Sequence, residues 1–460
     1  MFQRSTFRQV TTVAAAVAVA GGALVLSAGP TTAAPAKYAD DFNGDGYRDY
    51  AVAETGGGSV TVTYGTATGP GSRTKTFTQS SPGIPGSAGD AGGFVDAFGE
   101  SLATADFNRD GFADLAVADK TEKVGSRVAQ GAVTIIWGSR SGLGSKASRI
   151  KVTSPHARYE FGYGLAAGDF NGDGKPDLAV SDIEAVYIYR GGFGTTGSSG
   201  AVTKHKPAPG PDDTLEPTAL VAGKVTKDKA TDLYVLGQGY KNDRMTQTAW
   251  FLQGGSTIKR GKFTTYNTSA PDYSPTGVIA DFNKDGYGDL AVSDRPYNRG
   301  AGAVTVVRGG AGGPSGTYRV TQASPAVGTA ATAGDAFGFA LSAGDTNRDG
   351  YPDLAVGVPG EKVGSAEEAG GVHVLRGGTR GLTGTGSQWF TRNSAGVPGS
   401  AQEYGQFGGQ VRLRDFDRDG DADLLVSDLN GSTSVLLPGA GTGIGAMGAR
   451  ELPLVAAFSQ

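Results

Sequence analysis

The chain of 460 residues has no cysteine, and it has three histidines, three methionines and three tryptophans. Without cysteine there is no disulfide framework, no thiolate nucleophile and no thiolate zinc site. The histidines, His156, His205 and His373, lie far apart in sequence and none stands beside a serine or acid motif. A zinc site usually takes three protein ligands, so no histidine site is expected here. His156 and His205 fall in polar, proline-containing stretches, whereas His373 sits between Val372 and Val374 in a strand pattern. No G-x-S-x-G elbow and no phosphate-binding G-x-x-x-x-G-K-[ST] loop occurs. The formal net charge of −4 gives no basic footprint for nucleic acid.

What is abundant is glycine, 77 residues against 21 prolines, with charged residues at 19% and apolar ones at 38%. Short apolar blocks recur along the whole length, which marks a turn-rich globular chain rather than a disordered one. Residues 1–36 differ from the rest. Arg4 and Arg8 lead into an apolar stretch from Val10 to Ser27, followed by small residues at Thr32, Ala34 and Ala36. That layout predicts a secretory signal peptide cleaved after Ala34 or Ala36. A membrane anchor fits less well, because the stretch is short and mostly alanine, valine and glycine. Residues 37–460 are expected to form a soluble, secreted, extracellular monomer with no membrane span.

An acidic sentence, D-x-[ND]-x-D-x-x-x-D with glycine at the sixth position, is written six times. Oxygen donors at alternate positions of a tight loop suit calcium, which takes about six to eight oxygens. Side chains at positions 1, 3, 5 and 9 can converge while position 7 offers its carbonyl, and glycine permits the sharp turn. The expected ligands are Asp41, Asn43, Asp45, Tyr47 and Asp49; Asp106, Asn108, Asp110, Phe112 and Asp114; and Asp169, Asn171, Asp173, Lys175 and Asp177. The later copies offer Asp281, Asn283, Asp285, Tyr287 and Asp289; Asp345, Asn347, Asp349, Tyr351 and Asp353; and Asp415, Asp417, Asp419, Asp421 and Asp423. Up to six structural Ca2+ ions are expected.

An EF-hand would need a bidentate glutamate at position 12 and a following helix. This chain has Val52, Val117, Val180, Val292, Val356 and Val426 there, each ending an apolar run such as Leu115-Ala116-Val117. The loop therefore feeds a short strand. Turn chemistry alone also favours Asp, Asn and Gly, but a turn needs one or two such residues, and four crowded acids or amides would repel without a counter-ion.

The interval from Asp169 to Asp281 is nearly double the others, so a degenerate copy should lie within it. Residues 224–232 fit: Asp228 and Asp232 remain, while Lys224 replaces the first ligand and Lys229 the glycine. The lysine ammonium is expected to neutralise this loop in place of a metal. A second register agrees, since short apolar runs follow every loop at 60–62, 132–137, 186–189, 249–252, 303–307, 372–375 and 435–437. Further alternating stretches at 76–78, 150–152 and 318–320, and one before several loops, as at 98–105, bring each unit to four short antiparallel strands. Sheets of this size repeated radially make a β-propeller, all-β and seven-bladed, with the fourth blade degenerate. Residues 448–460 are a candidate outer strand beside the first blade.

Phe98-Gly99, Phe161-Gly162, Phe337-Gly338 and Phe407-Gly408 precede calcium loops, and Gly131-Ala132-Val133 and Gly302-Ala303-Val304 follow them. In these residues the chain resembles the FG-GAP repeats of the integrin α-subunit propeller and its bacterial relatives, over nearly all of 38–460. The resemblance implies a seven-bladed propeller with calcium in the loop between the first two strands of some blades. This chain departs in having six apparent sites, in lacking the Phe-Gly pair in units one, four and five, and in having no inserted adhesion domain. The Phe-Gly pairs themselves read as packing between blades.

Chemistry is sparse elsewhere. Glu54, Glu100, Glu160, Glu184, Glu361, Glu367, Glu368 and Glu403 lie outside the loops, and paired carboxylates can hydrolyse glycosides, but nothing in the sequence selects a pair. Recognition is the better expectation, since loops on a rigid scaffold usually carry it. Long glycine-rich connections at 81–96, 324–335, 393–405, 120–130, 294–300 and 359–370 are available, as are Tyr159, Tyr163, Tyr297 and Tyr404. The function expected is a non-enzymatic binding or cell-adhesion module for an extracellular glycan or protein; the alternative is a secreted hydrolase of polysaccharide or lipid head groups.

Overall fold

In most repeats the second strand is short, apolar and buried on both faces: Asp177–Ser181 and Asp289–Ser293 both read Asp-Leu-Ala-Val-Ser. Such a strand must sit between neighbours on both sides. A computed structural model of the chain describes residues 34–453 apart from 54–57, 89–96, 154, 269–274, 430 and 432. It is a seven-bladed β-propeller whose antiparallel sheets follow one another along the chain, six with four strands and the first with three. The expected signal peptide lies almost wholly outside the described residues, as does Glu54. Among the described residues, no helix is long and apolar enough to cross a membrane.

The alternation of side chains across a strand builds the junctions between blades. Leu178 and Val180 join the cluster shared with the preceding blade, whereas Ala179 joins the one shared with the following blade. Leu290, Val292 and Ala291 divide in the same way, as do Leu354, Val356 and Ala355. Seven apolar clusters result, one at each junction, and that between the last blade and the first is the smallest. This seam holds Tyr50, Phe416, Leu425, Leu436 and Leu452. Leu425 occupies the place that alanine takes in every other blade but the fourth, which has Tyr234, and Tyr50 meets Phe416 edge-on at 5.3 Å.

The Phe-Gly pairs serve this packing. Phe98, Phe161, Phe337 and Phe407 are fully buried, each in the junction with the preceding blade. The following glycines have φ between 88° and 101°, a region costly for other residues. Phe337 N–H donates to the Ala301 carbonyl at 3.0 Å, and Gly302 pairs with Phe337 as a parallel bridge. A Cβ on Gly302 would stand 2.3 Å from the Phe337 carbonyl oxygen, so the two halves of the motif interlock across adjacent blades.

Four expectations are corrected. The first blade shows no inner strand among the described residues: Asp49 N–H donates to the Asp40 carbonyl at 2.8 Å, but the preceding segment turns away, with Ala36 N–H bound to Asp106 at 2.9 Å. Pro35 lacks the N–H a ladder needs. Arg450–Pro453 completes the last blade by pairing with Thr433–Leu437 rather than joining the first, though Arg450 reaches across to the Thr68 carbonyl. In the second blade the outer strand is Ala147–Arg149, so the expected 150–152 stretch begins where the ladder ends. His205 ends the strand Val202–His205 rather than lying in a loop. The inner strands of the other blades surround a central cavity of about 1000 Å³.

Candidate metal sites

Each acidic loop after the first joins the inner strand to the second strand, and the first leads directly into Tyr50–Ala53; a net of backbone hydrogen bonds orients the carboxylates. In the loop from Asp106, Asp106 accepts from the N–H groups of Asp110 at 3.0 Å and Gly111 at 3.1 Å. Asn108 Oδ1 accepts from Asp110 N–H at 3.0 Å, and Asp110 from Phe112 N–H at 3.1 Å. The loops from Asp41, Asp169 and Asp281 repeat this net. The fourth position adopts positive φ in all six loops, at Gly44, Arg109, Gly172, Lys284, Arg348 and Arg418, which curls the donors inward.

The ninth aspartate does a second job. Asp114 is fully buried, and it accepts from Phe107 N–H at 2.9 Å and from Gly138 N–H, at the end of the third strand, at 2.8 Å. Burial pushes the carboxyls of Asp49 and Asp114 up to about 8, and those of Asp177, Asp289 and Asp423 up to about 6, the other loop carboxylates adding to the shift. Desolvation and like charge both favour the protonated acid; a cation in the loop acts in the opposite sense.

The donor set fits a hard cation, being all oxygen. Two buried carboxylate oxygens, Asp289 Oδ2 and Asp415 Oδ1, have no hydrogen-bond partner among the described residues. In the last loop the carboxylates of Asp415, Asp417 and Asp419 lie within 4.8 Å of one another. The loop from Asp345 fits less well. Asp353 Oδ2 already holds Arg376 at 2.8 Å and the Thr346 hydroxyl, and Oδ1 accepts from Gly377 N–H at 3.0 Å. In the degenerate loop the Lys224 ammonium donates to the carbonyl of Ala230 at 2.8 Å and to that of Lys229. The ammonium thus meets the position-7 carbonyl rather than the aspartates. Asp232 keeps its backbone role through Val225, Thr226 and Gly254.

Neighbouring loops touch around the rim. Lys227 lies over Tyr287 at 4.1 Å, Lys284 over Tyr351 at 5.3 Å, and Arg348 pairs with Asp421 at 2.7 Å. In each case the fourth position of one loop meets the seventh position of the next.

The other expected residues scatter. His373 is buried between Trp389, 4.3 Å away, and Phe337, with Nε2 2.8 Å from the Thr329 hydroxyl. The His156 ring packs at a tilt against Tyr159, 4.6 Å between centroids, and the Tyr159 hydroxyl donates to Glu184 at 3.1 Å. Tyr297 lies under Arg319, Tyr163 under Lys120, and Tyr404 is 63% exposed. Glu100 and Glu160 do come together: Lys120 pairs with Glu100 at 2.5 Å, and burial raises the Glu160 carboxyl while Lys120 opposes that rise. Glu361 is raised to about 7 by burial and Asp335.

A profile of the FG-GAP-like repeat matches residues 41–117 and 106–180, and one of the FG-GAP repeat matches 337–375. The chain carries FG-GAP repeats in a seven-bladed β-propeller. This FG-GAP protein is 29% identical over 262 residues to integrin alpha-PS2 of Drosophila melanogaster, covering 56% of this chain and 15% of that one. It is 37% identical over 84 residues to the phosphatidylinositol-glycan-specific phospholipase D of Rattus norvegicus, covering 18% of this chain and 10% of that one. The FG-GAP chain therefore matches only about a tenth of the length of the first of its curated relatives. Among solved structures, an Agrocybe aegerita lectin described as recognising non-reducing terminal N-acetylglucosamine aligns at TM-score 0.44 and 13% identity, over 93% of this chain and 96% of that one.

Proposed function

We propose that this FG-GAP propeller is an extracellular binding or adhesion module for a glycan or protein, held together by structural calcium in up to six loops. Asp, Asn and backbone carbonyl oxygens at positions 1, 3, 5, 7 and 9 would hold each ion, and the ion would supply the positive charge that the crowded carboxylates need. The observation that carries the reading is Asp289 Oδ2, a buried and unpartnered carboxylate oxygen beside Asp281 and Asp285. An ion bound only by the folded state stabilises it by about 2.7 kcal/mol per site at a hundred times its dissociation constant. Exhaustive EDTA treatment should lower the melting temperature and calcium should restore it. An unchanged melt, together with no calcium bound at millimolar supply, would sink the metal reading.

A second reading, a hydrolase of polysaccharide or lipid head groups, is favoured by one feature: Glu100 and Lys120 line the central cavity as an ion pair, and Glu160 lies near enough to feel both charges. Turnover abolished by Glu160→Gln would establish it. Glycan or protein binding without turnover supports the module.

A further inference from the structure

The rim opposite the acidic loops is uneven. In the third blade the turn between Asp177–Ser181 and Val186–Tyr189 is four residues long, 182–185. In the next blade the corresponding strands, Asp232–Lys241 and Arg244–Gln253, run ten residues each, so the hairpin overtops its neighbour. The step between them leaves a cavity of about 500 Å³, a size that takes a small-molecule ligand.

Its floor is apolar, with Ile183, Leu215 and Met245, and its rim carries Tyr240, 51% exposed, with Glu184 and Glu216. At the wall, Gln238 Oε1 is buried without a hydrogen-bond partner among the described residues. A buried unmet acceptor costs about 1–3 kcal/mol, and a donor brought by a ligand recovers that cost. Glu184, Asp213 and Glu216 outnumber the single ammonium of the lining, Lys206, which lies 3.5 Å from Glu184, so the charge balance disfavours anions. An aromatic face, a shallow apolar floor and acceptors at the edge suit a rigid ring bearing outward hydroxyls.

We infer that the cleft between the third and fourth blades, framed by Tyr240, Gln238 and Glu216, binds an uncharged saccharide unit. The inference rests on the binding-module reading and names its ligand class. The test is calorimetric titration of the calcium-loaded full chain with cellotetraose, chitotetraose and mannotetraose, against tri-galacturonate and an arginine-rich peptide. At least one neutral oligosaccharide should bind, tri-galacturonate should not, and Tyr240→Ala or Gln238→Leu should each weaken binding about tenfold without lowering the melting temperature. Saccharide binding undiminished in both variants would overturn the cleft while leaving the module standing. Binding of the arginine-rich peptide alone, abolished by Tyr240→Ala, would overturn the saccharide assignment. Binding of none of the five probes would overturn the cleft, and protein-ligand capture would then decide the module separately.

Discussion

The guanidinium of Arg418 lies over the ring of Tyr47, 4.8 Å from its centroid. This contact carries the rim pattern from the last loop back to the first and so crosses the seam of the ring. Below it, Leu425 fills a site where five of the other blades place alanine, opposite a blade with three strands among the described residues. The small seam cluster has few substitutes for that side chain.

Leu425→Ala should therefore destabilise the propeller by about 2–5 kcal/mol, the usual cost of such a cavity. Urea unfolding monitored by tryptophan fluorescence checks this; a loss below about 1 kcal/mol would mean that the seam collapses around the gap.

Asp289→Asn keeps the shape of the fourth acidic loop and removes a buried charge. Without calcium the variant should melt higher than the parent, because an unpartnered buried carboxylate is relieved. With calcium it should gain less stability than the parent and bind one ion fewer. Scanning fluorimetry with and without calcium, and metal analysis, measure both effects.

The degenerate loop should be convertible. Lys224→Asp with Thr226→Asn and Lys229→Gly removes the ammonium from the Ala230 carbonyl and restores the missing donors. Calcium stoichiometry should rise by one, and Arg376→Met, which frees Asp353, should tighten the weakest of the original sites. Unchanged isotherms in both variants would contradict the assignment of those oxygens.

His373 predicts an acid limb of the stability curve. Burial holds its imidazole down at about 4, against an ordinary value of 6.5. The folded state refuses a proton that the unfolded chain accepts, so this contribution is complete above the unfolded value and is lost as pH falls towards 4. Its size is up to about 3 kcal/mol. His373→Gln should flatten that part of the profile in equilibrium unfolding from pH 7 to 4.

The repeats were legible because their signals are local. Each loop has its donors within nine residues, and Asp-Leu-Ala-Val states both burial and facing direction within four. What sequence did not disclose depends on distant partners. Arg376 meets Asp353 only because the third strand returns antiparallel beside the second. The cleft at Tyr240 arises from the difference between two turns in separate blades, and Gln238 gains meaning only once burial leaves it unpaired. Missing strand pairing in the first blade turns on Ala36 finding Asp106, seventy residues away.

Six of the apolar junctions join units adjacent in the chain, whereas the seventh joins Tyr50 to Phe416. During synthesis on the ribosome the early units can dock one after another as they emerge, each closing a short loop. The final junction must wait for nearly the whole polypeptide, and it pays the largest loop-closure entropy for the least apolar area. Until then the nascent arc exposes an uncovered sheet face at each end, which makes closure the step most open to aggregation and to capture by a chaperone.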